Sequence, residues 1–149
     1  SRRLGGGVGV GEADQIIKDY KARFPRSDEF LEACVDQAQR QGWVATILGR
    51  RRKNPQISSR SPNERAIGAR MAINTVVKGS AADLIKRAMI DVHTALPDEA
   101  PTARMLLQIH DELVLEVDEG DVDTVAEVVR TRMEAAMDLR VPLALSIAQ

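Results

Sequence analysis

The stretch from Leu106 to Val117, LLQIHDELVLEV, constrains this chain more than any other, because it puts two carboxylates at the turn of an apolar ribbon. Leu107 and Ile109 alternate with Gln108 and His110, and beyond the turn Leu113, Leu115 and Val117 alternate with Val114 and Glu116. Period two on both sides of His110-Asp111-Glu112 predicts two half-buried antiparallel strands in a tight hairpin. Adjacent carboxylates at such a tip must stay hydrated, paired or metal-bound, since burying an unpaired charge is costly. Asp111 and Glu112 are therefore the first candidates for chemistry.

A chain of 149 residues, 44% hydrophobic and 29% charged, suits one compact domain or a large piece of one. It has no apolar run long enough to span a bilayer, and Ser-Arg-Arg-Leu followed by glycines lacks the apolar core of a signal peptide. A single cysteine, Cys34, excludes an internal disulfide framework and fits a reducing compartment. Its neighbours at helical spacing, Phe30, Leu31, Val35 and Ala38, assign it to the core.

The net charge of -1 conceals a segregation. Between Arg50 and Arg87 the cations Arg50, Arg51, Arg52, Lys53, Arg60, Arg65, Arg70, Lys78, Lys86 and Arg87 face only Glu64 and Asp83. From Asp111 to Asp138 acids dominate, with only Arg130 and Arg132 against them. The basic block points to a polyanionic partner. The outer acids, Asp118 to Asp123, fill a turn and a helix start, where the helix dipole favours negative charge.

The glycines between Gly5 and Gly11 miss every phosphate-cradle spacing and read as a flexible entry segment. From Glu12, one helix presents Ala13, Ile16, Ile17 and Tyr20 and ends at Phe24-Pro25. Ser27 caps a second helix, with Gly42 just past its end. Trp43 to Leu48 reads as a strand, and Gly49 permits a reversal into an arm near Gln56-Ile57. Ser61-Pro62-Asn63-Glu64 has the pattern of a capping box and should open a helix running to about Asn74. Gly79-Ser80 should break and restart it, with Leu84, Ala88, Val92 and Leu96 as its buried stripe. Pro97 to Pro101 reads as a loop. A last amphipathic helix carries Val122, Val125, Val129, Met133 and Ala136, and Val141 to Ile147 alternates as a strand. The expected class is α+β, an antiparallel sheet with helices packed on one face.

Arg70, Asn74 and Lys78 fall four residues apart, so they project from one side while the helix persists. A guanidinium, an amide and an ammonium on one face suit phosphate and base-edge contacts, although a solvated face would look the same. His110, beside the acids, is a candidate donor to a sugar or phosphate. His93 is expected on an exposed helix surface and carries no role.

Three stretches resemble the C-terminal part of family A DNA polymerases of the bacterial DNA polymerase I type. GWVATILGRRR, Gly42 to Arg52, is similar to the family's Gly-Tyr-Val-Glu-Thr…Gly-Arg-Arg-Arg segment. NERAIGARMAINTVVKGSAADLIKRAMI spans Asn63 to Ile90, and ARMLLQIHDELVLEV, Ala103 to Val117, resembles motif C. Their order and spacing agree with the family, and a weaker likeness extends over Glu12 to Gln41.

The resemblance implies a helical remainder of the fingers over residues 1–48 and a palm part over 49–149. It implies that Asp111 ligates two catalytic Mg²⁺ ions, with Glu112 in support, for attack of a primer 3′-hydroxyl on an incoming deoxynucleoside triphosphate. His110, Arg70 and Asn74 would contact primer-template DNA through minor-groove acceptors that every correct pair shares. Arg51, Arg52 and Arg65 would make backbone contacts. Lys78 stands where the family usually has glutamine and can donate but not accept. A cytoplasmic, nucleoid-associated enzyme with no membrane partner is expected.

The motif A aspartate, the nucleotide-gripping helix, the thumb and the family's final tail are not found in the sequence. Both ends are expected to be cut, the missing N-terminal part of the same polymerase is an expected partner, and the isolated chain is expected not to polymerise. Two other classes compete. A non-catalytic nucleic-acid-binding module would use the basic block without Asp111, and a metal-dependent nuclease on the same hairpin would need further acids nearby.

Overall fold

The structure, a computed structural model, describes residues 9–148. The glycine-rich entry segment lies mostly outside the described residues. The chain forms two compact units, divided between Val77 and Lys78.

In the first unit, α1 (Val10–Arg23) and α2 (Pro25–Gln41) precede a short antiparallel pair, β1 (Trp43–Ala45) and β2 (Arg51–Lys53). Gly42 ends α2 in the left-handed region at φ 72°, where its amide still reaches Ala38 O at 2.8 Å. Glycine meets no Cβ penalty there. Helix α2 begins at Pro25, ahead of the expected Ser27 cap, because proline's fixed φ suits a first helical position. Ile16, Ile17 and Tyr20 of α1 are exposed, and no residue of α1 is buried.

Strand β1 is shorter than expected, because Thr46 to Gly49 turn the chain: the Gly49 amide donates to Thr46 O (2.8 Å) and the Thr46 amide to Arg50 O (3.0 Å). The return arm is therefore Arg51–Lys53, and Pro55–Ser58, expected to be extended, is a 3₁₀ turn. That turn lies directly on a buried glycine. A Cβ on Gly68 would stand 2.6 Å from the Ile57 backbone nitrogen. Around it pack Ala38, Val44, Ile57 and Ala72. Cys34 is buried, as its spacing predicted.

Helix α3 (Pro62–Glu99) is continuous, so the expected break at Gly79-Ser80 does not occur. A mid-helix glycine costs only about 1 kcal/mol, less than burial of one large apolar side chain gains. Pro97 sits inside its last turn, so the expected loop starts later. At the other end Glu64 does not complete a capping box. Its carboxylate accepts from the Ser59 hydroxyl, whose oxygen in turn accepts from the Ser61 amide at 3.2 Å.

In the second unit Val92, Leu96, Ala100 and Ala103 pack with Val125 and Val129 of α4 (Val122–Glu134), and Met105, Leu115 and Leu145 close around them. Strands β3 (Arg104–Ile109) and β4 (Glu112–Glu116) form the expected hairpin, but with a bulge. Met105 faces Leu115 and then Leu107 faces Val114, so Leu106 is the extra residue. One extra residue exchanges the faces of the strand beyond it. Leu107 and Ile109, expected on the half-buried face, are exposed with Val114, while Leu113 and Leu115 are half-buried. The alternating segment 141–147 is no strand: its fixed backbone bond is Leu145 N–H to Glu134 Oε1 at 3.0 Å. Alternation specifies faces, and a strand also needs a ladder partner. These two units of helices and small antiparallel sheets are α+β.

Candidate nucleic-acid and cation site

The hairpin register decides where the acids stand. Ile109 pairs with Glu112, so the turn proper is His110-Asp111 and Glu112 is already the first residue of β4. His110 adopts φ 56°, the one positive φ outside glycine among the described residues. A two-residue hairpin asks for positive φ at its first turn residue, which glycine usually supplies. Here a histidine takes it, and the Gln108 side-chain amide donates to His110 O at 2.6 Å. Sequence reasoning missed Gln108. Its even spacing from His110 was the available signal.

His110, Asp111 and Glu112 are all exposed, and among the described residues neither carboxylate is held in an ion pair. The outer acids differ, since Asp121 accepts from the Thr102 hydroxyl at 2.8 Å. Asp111 and Glu112 also rim a cavity of about 740 Å³ whose lining includes Leu113, Val125, Val129 and Leu145.

Two adjacent carboxylates open to water fit a hard divalent ion that keeps much of its hydration shell. They would supply two of the ligands such an ion takes, and no three or more His, Cys, Asp or Glu side chains converge among the described residues.

The basic candidates separate by engagement. Arg70, Asn74 and Lys78 are exposed on α3 at intervals of four, and no ion pair holds them among the described residues. Arg51, Arg52 and Lys53 line β2, all exposed. The Arg51 guanidinium lies 4.4 Å over the Trp43 ring, a contact that spacing did not anticipate. Arg65 is engaged locally, where one guanidinium nitrogen donates to Ser59 O (3.0 Å) and Arg60 O (2.9 Å) and ties down the loop before α3. His93 is exposed, as expected.

An exposed pair of carboxylates at a hairpin tip and, separately, a helix face of exposed cations are what the two units present, and the comparisons with known proteins give them a family. A model of DNA polymerase family A matches residues 1–149, and the chain belongs to that family. It is 46% identical over 132 residues to DNA polymerase I of Bacillus caldotenax, covering 89% of this chain and 15% of that protein. It is 41% identical over 140 residues to DNA polymerase I of Mycobacterium tuberculosis (strain H37Rv), covering 94% of this chain and 16% of that protein. The solved POL domain of Pol1 from M. smegmatis, in complex with DNA primer-template and dNTP, is similar with a TM-score of 0.89 and 41% identity. That match covers 93% of this chain and 24% of the solved one. The chain thus spans about one sixth of the length of the curated relatives it matches. No described helix is long and apolar enough to cross a membrane.

Proposed function

We propose that this chain supplies the motif C carboxylates and part of the DNA-binding surface of a DNA-directed DNA polymerase. The observation that carries the reading is the hairpin tip, where Asp111 and Glu112 stand exposed with no ionic partner among the described residues. Family membership over the whole chain supports it.

In this reading Asp111 would hold Mg²⁺, with Glu112 beside it in a supporting role. When bound, such ions would supply Lewis-acid charge neutralisation at the reacting phosphates. His110 donates toward the primer end, Arg70 and Asn74 toward the minor groove, and Arg51, Arg52 and Lys78 toward phosphates. Arg65, already bonded to two carbonyls, contributes through its remaining nitrogens. Residues 1–48 belong to the fingers and 49–149 to the palm. The whole enzyme takes deoxynucleoside triphosphates and primer-template DNA and works in the cytoplasm at the nucleoid, in replication and repair.

Two carboxylates are too few to hold two ions, so the chain alone does not extend primers; extension by the purified 149 residues would overturn that statement. The wider reading is tested by fluorescence anisotropy with a primer-template duplex across a salt series. Arg70→Ala and Arg52→Ala should each weaken binding, and Arg52→Ala should lower the salt slope by about 1. Unchanged affinity in both variants refutes the assigned surface.

A further inference from the structure

We infer that Gln108 is a positioning residue for Asp111, acting through the peptide carbonyl of His110. The inference rests on the reading of Asp111 and Glu112 as ligands of a divalent cation. Two observations meet at this turn. His110 occupies the left-handed region at φ 56°, which a β-carbon makes unfavourable. The carbonyl of that same residue accepts the Gln108 Nε2–H at 2.6 Å.

The cross-strand ladder closes at Ile109–Glu112, so it leaves the peptide between His110 and Asp111 to be oriented by something else. A side chain two residues upstream does so. The His110 carbonyl and the Asp111 amide share one rigid peptide plane, so fixing the carbonyl fixes where the Asp111 Cα stands and narrows the directions its carboxylate can take. Glutamine has the right chemistry for this role. Its amide donates without bringing a charge, whereas lysine or arginine would add a cation close to a cation site. The bulge at Leu106 contributes as well, because it sets which face Gln108 takes: it stands opposite Leu113.

The test is a Mn²⁺ titration of the 149-residue chain followed by paramagnetic broadening of the Asp111 and Glu112 amide resonances. The variants are Gln108→Met, Gln108→Leu and Asp111→Asn. In the unaltered chain broadening should centre on residues 110–112. Gln108→Met and Gln108→Leu should need roughly three- to tenfold more Mn²⁺ for half-broadening, the worth of one lost hydrogen bond. In both variants the HN–Hα coupling of His110 should move away from its left-handed value while the Ile109–Glu112 cross-strand contact persists.

Unchanged Mn²⁺ dependence in both glutamine variants, with a loss in Asp111→Asn, overturns the role of Gln108 and leaves the cation reading standing. Unchanged broadening in Asp111→Asn overturns the cation reading itself. Loss of the Ile109–Glu112 contact in both glutamine variants also overturns the inference, because Gln108 would then be holding the strands together rather than aiming the turn.

Discussion

Ile109 and Glu112 are the last cross-strand partners of the hairpin, and only His110 and Asp111 lie between them. The shortness of this loop puts His110 at φ 56°. A left-handed non-glycine residue costs about 1–2 kcal/mol, and glycine's greater freedom in the unfolded chain takes back about 0.4–1. His110→Gly should therefore stabilise the chain by up to about 1.6 kcal/mol while weakening primer-template binding. Thermal unfolding and anisotropy measured on the same variant check both. A lowered midpoint would show that the histidine ring stabilises the turn by more than its backbone costs.

Trp43 reports on the basic strand. The Arg51 guanidinium 4.4 Å above its ring contributes about 0.5–1 kcal/mol at an exposed site. Trp43 is also the only tryptophan in the chain. If Arg51 binds phosphate as proposed, adding duplex DNA should change Trp43 emission, and Arg51→Ala should abolish most of that change. The same emission response in both proteins would place the DNA elsewhere.

How much of this was legible beforehand depends on the range of the interaction concerned. Ala88, Val92 and Leu96 are buried as their period predicts, because a helix sets its own geometry within a few residues. The bulge at Leu106 was hidden, because Met105, Leu106 and Leu107 are all apolar and such a run is compatible with either register. Segment 141–147 alternates like a strand, but no pattern within it says whether a neighbour will bond to it. At the hairpin tip the place of Asp111 in the turn was readable from the alternation on either side, whereas Glu112, expected in the turn as well, opens β4. The Gln108 bond to His110 O and the stacking of Arg51 on Trp43 depend on side-chain placement that spacing alone does not determine.

Cys34 gives a pH dependence of defined sign. Burial pushes its thiol above the ordinary range, so the native chain favours the protonated form. That contribution is fully present below the unfolded thiol's value, about 8.5, and is lost as pH rises through the folded one. Urea midpoints should therefore fall more steeply above about pH 8.5 in the parent chain than in Cys34→Ala. Alkylation at pH 8 should be slow unless urea is present. Rapid alkylation of the native chain would show the thiol to be accessible.

Asn54 is the least expected member of the first core. It is fully buried between β2 and α3, and its Nδ2–H donates to Gly68 O at 2.8 Å. Its Oδ1, also buried, finds no partner among the described residues. An unsatisfied buried acceptor costs about 1–3 kcal/mol, roughly what one well-made hydrogen bond returns or more. The Asn54 backbone amide, bonded to Gly42 O at 2.8 Å, is untouched by side-chain replacement. Asn54→Leu, close in size, removes the orphan together with the bond and should leave the urea midpoint unchanged or higher. Asn54→Ala removes the same polar atoms but opens a cavity, and should cost about 1–3 kcal/mol. Equal losses in the two variants would mean that the hydrogen bond to Gly68, and not the filling of space, holds the basic strand against the helix.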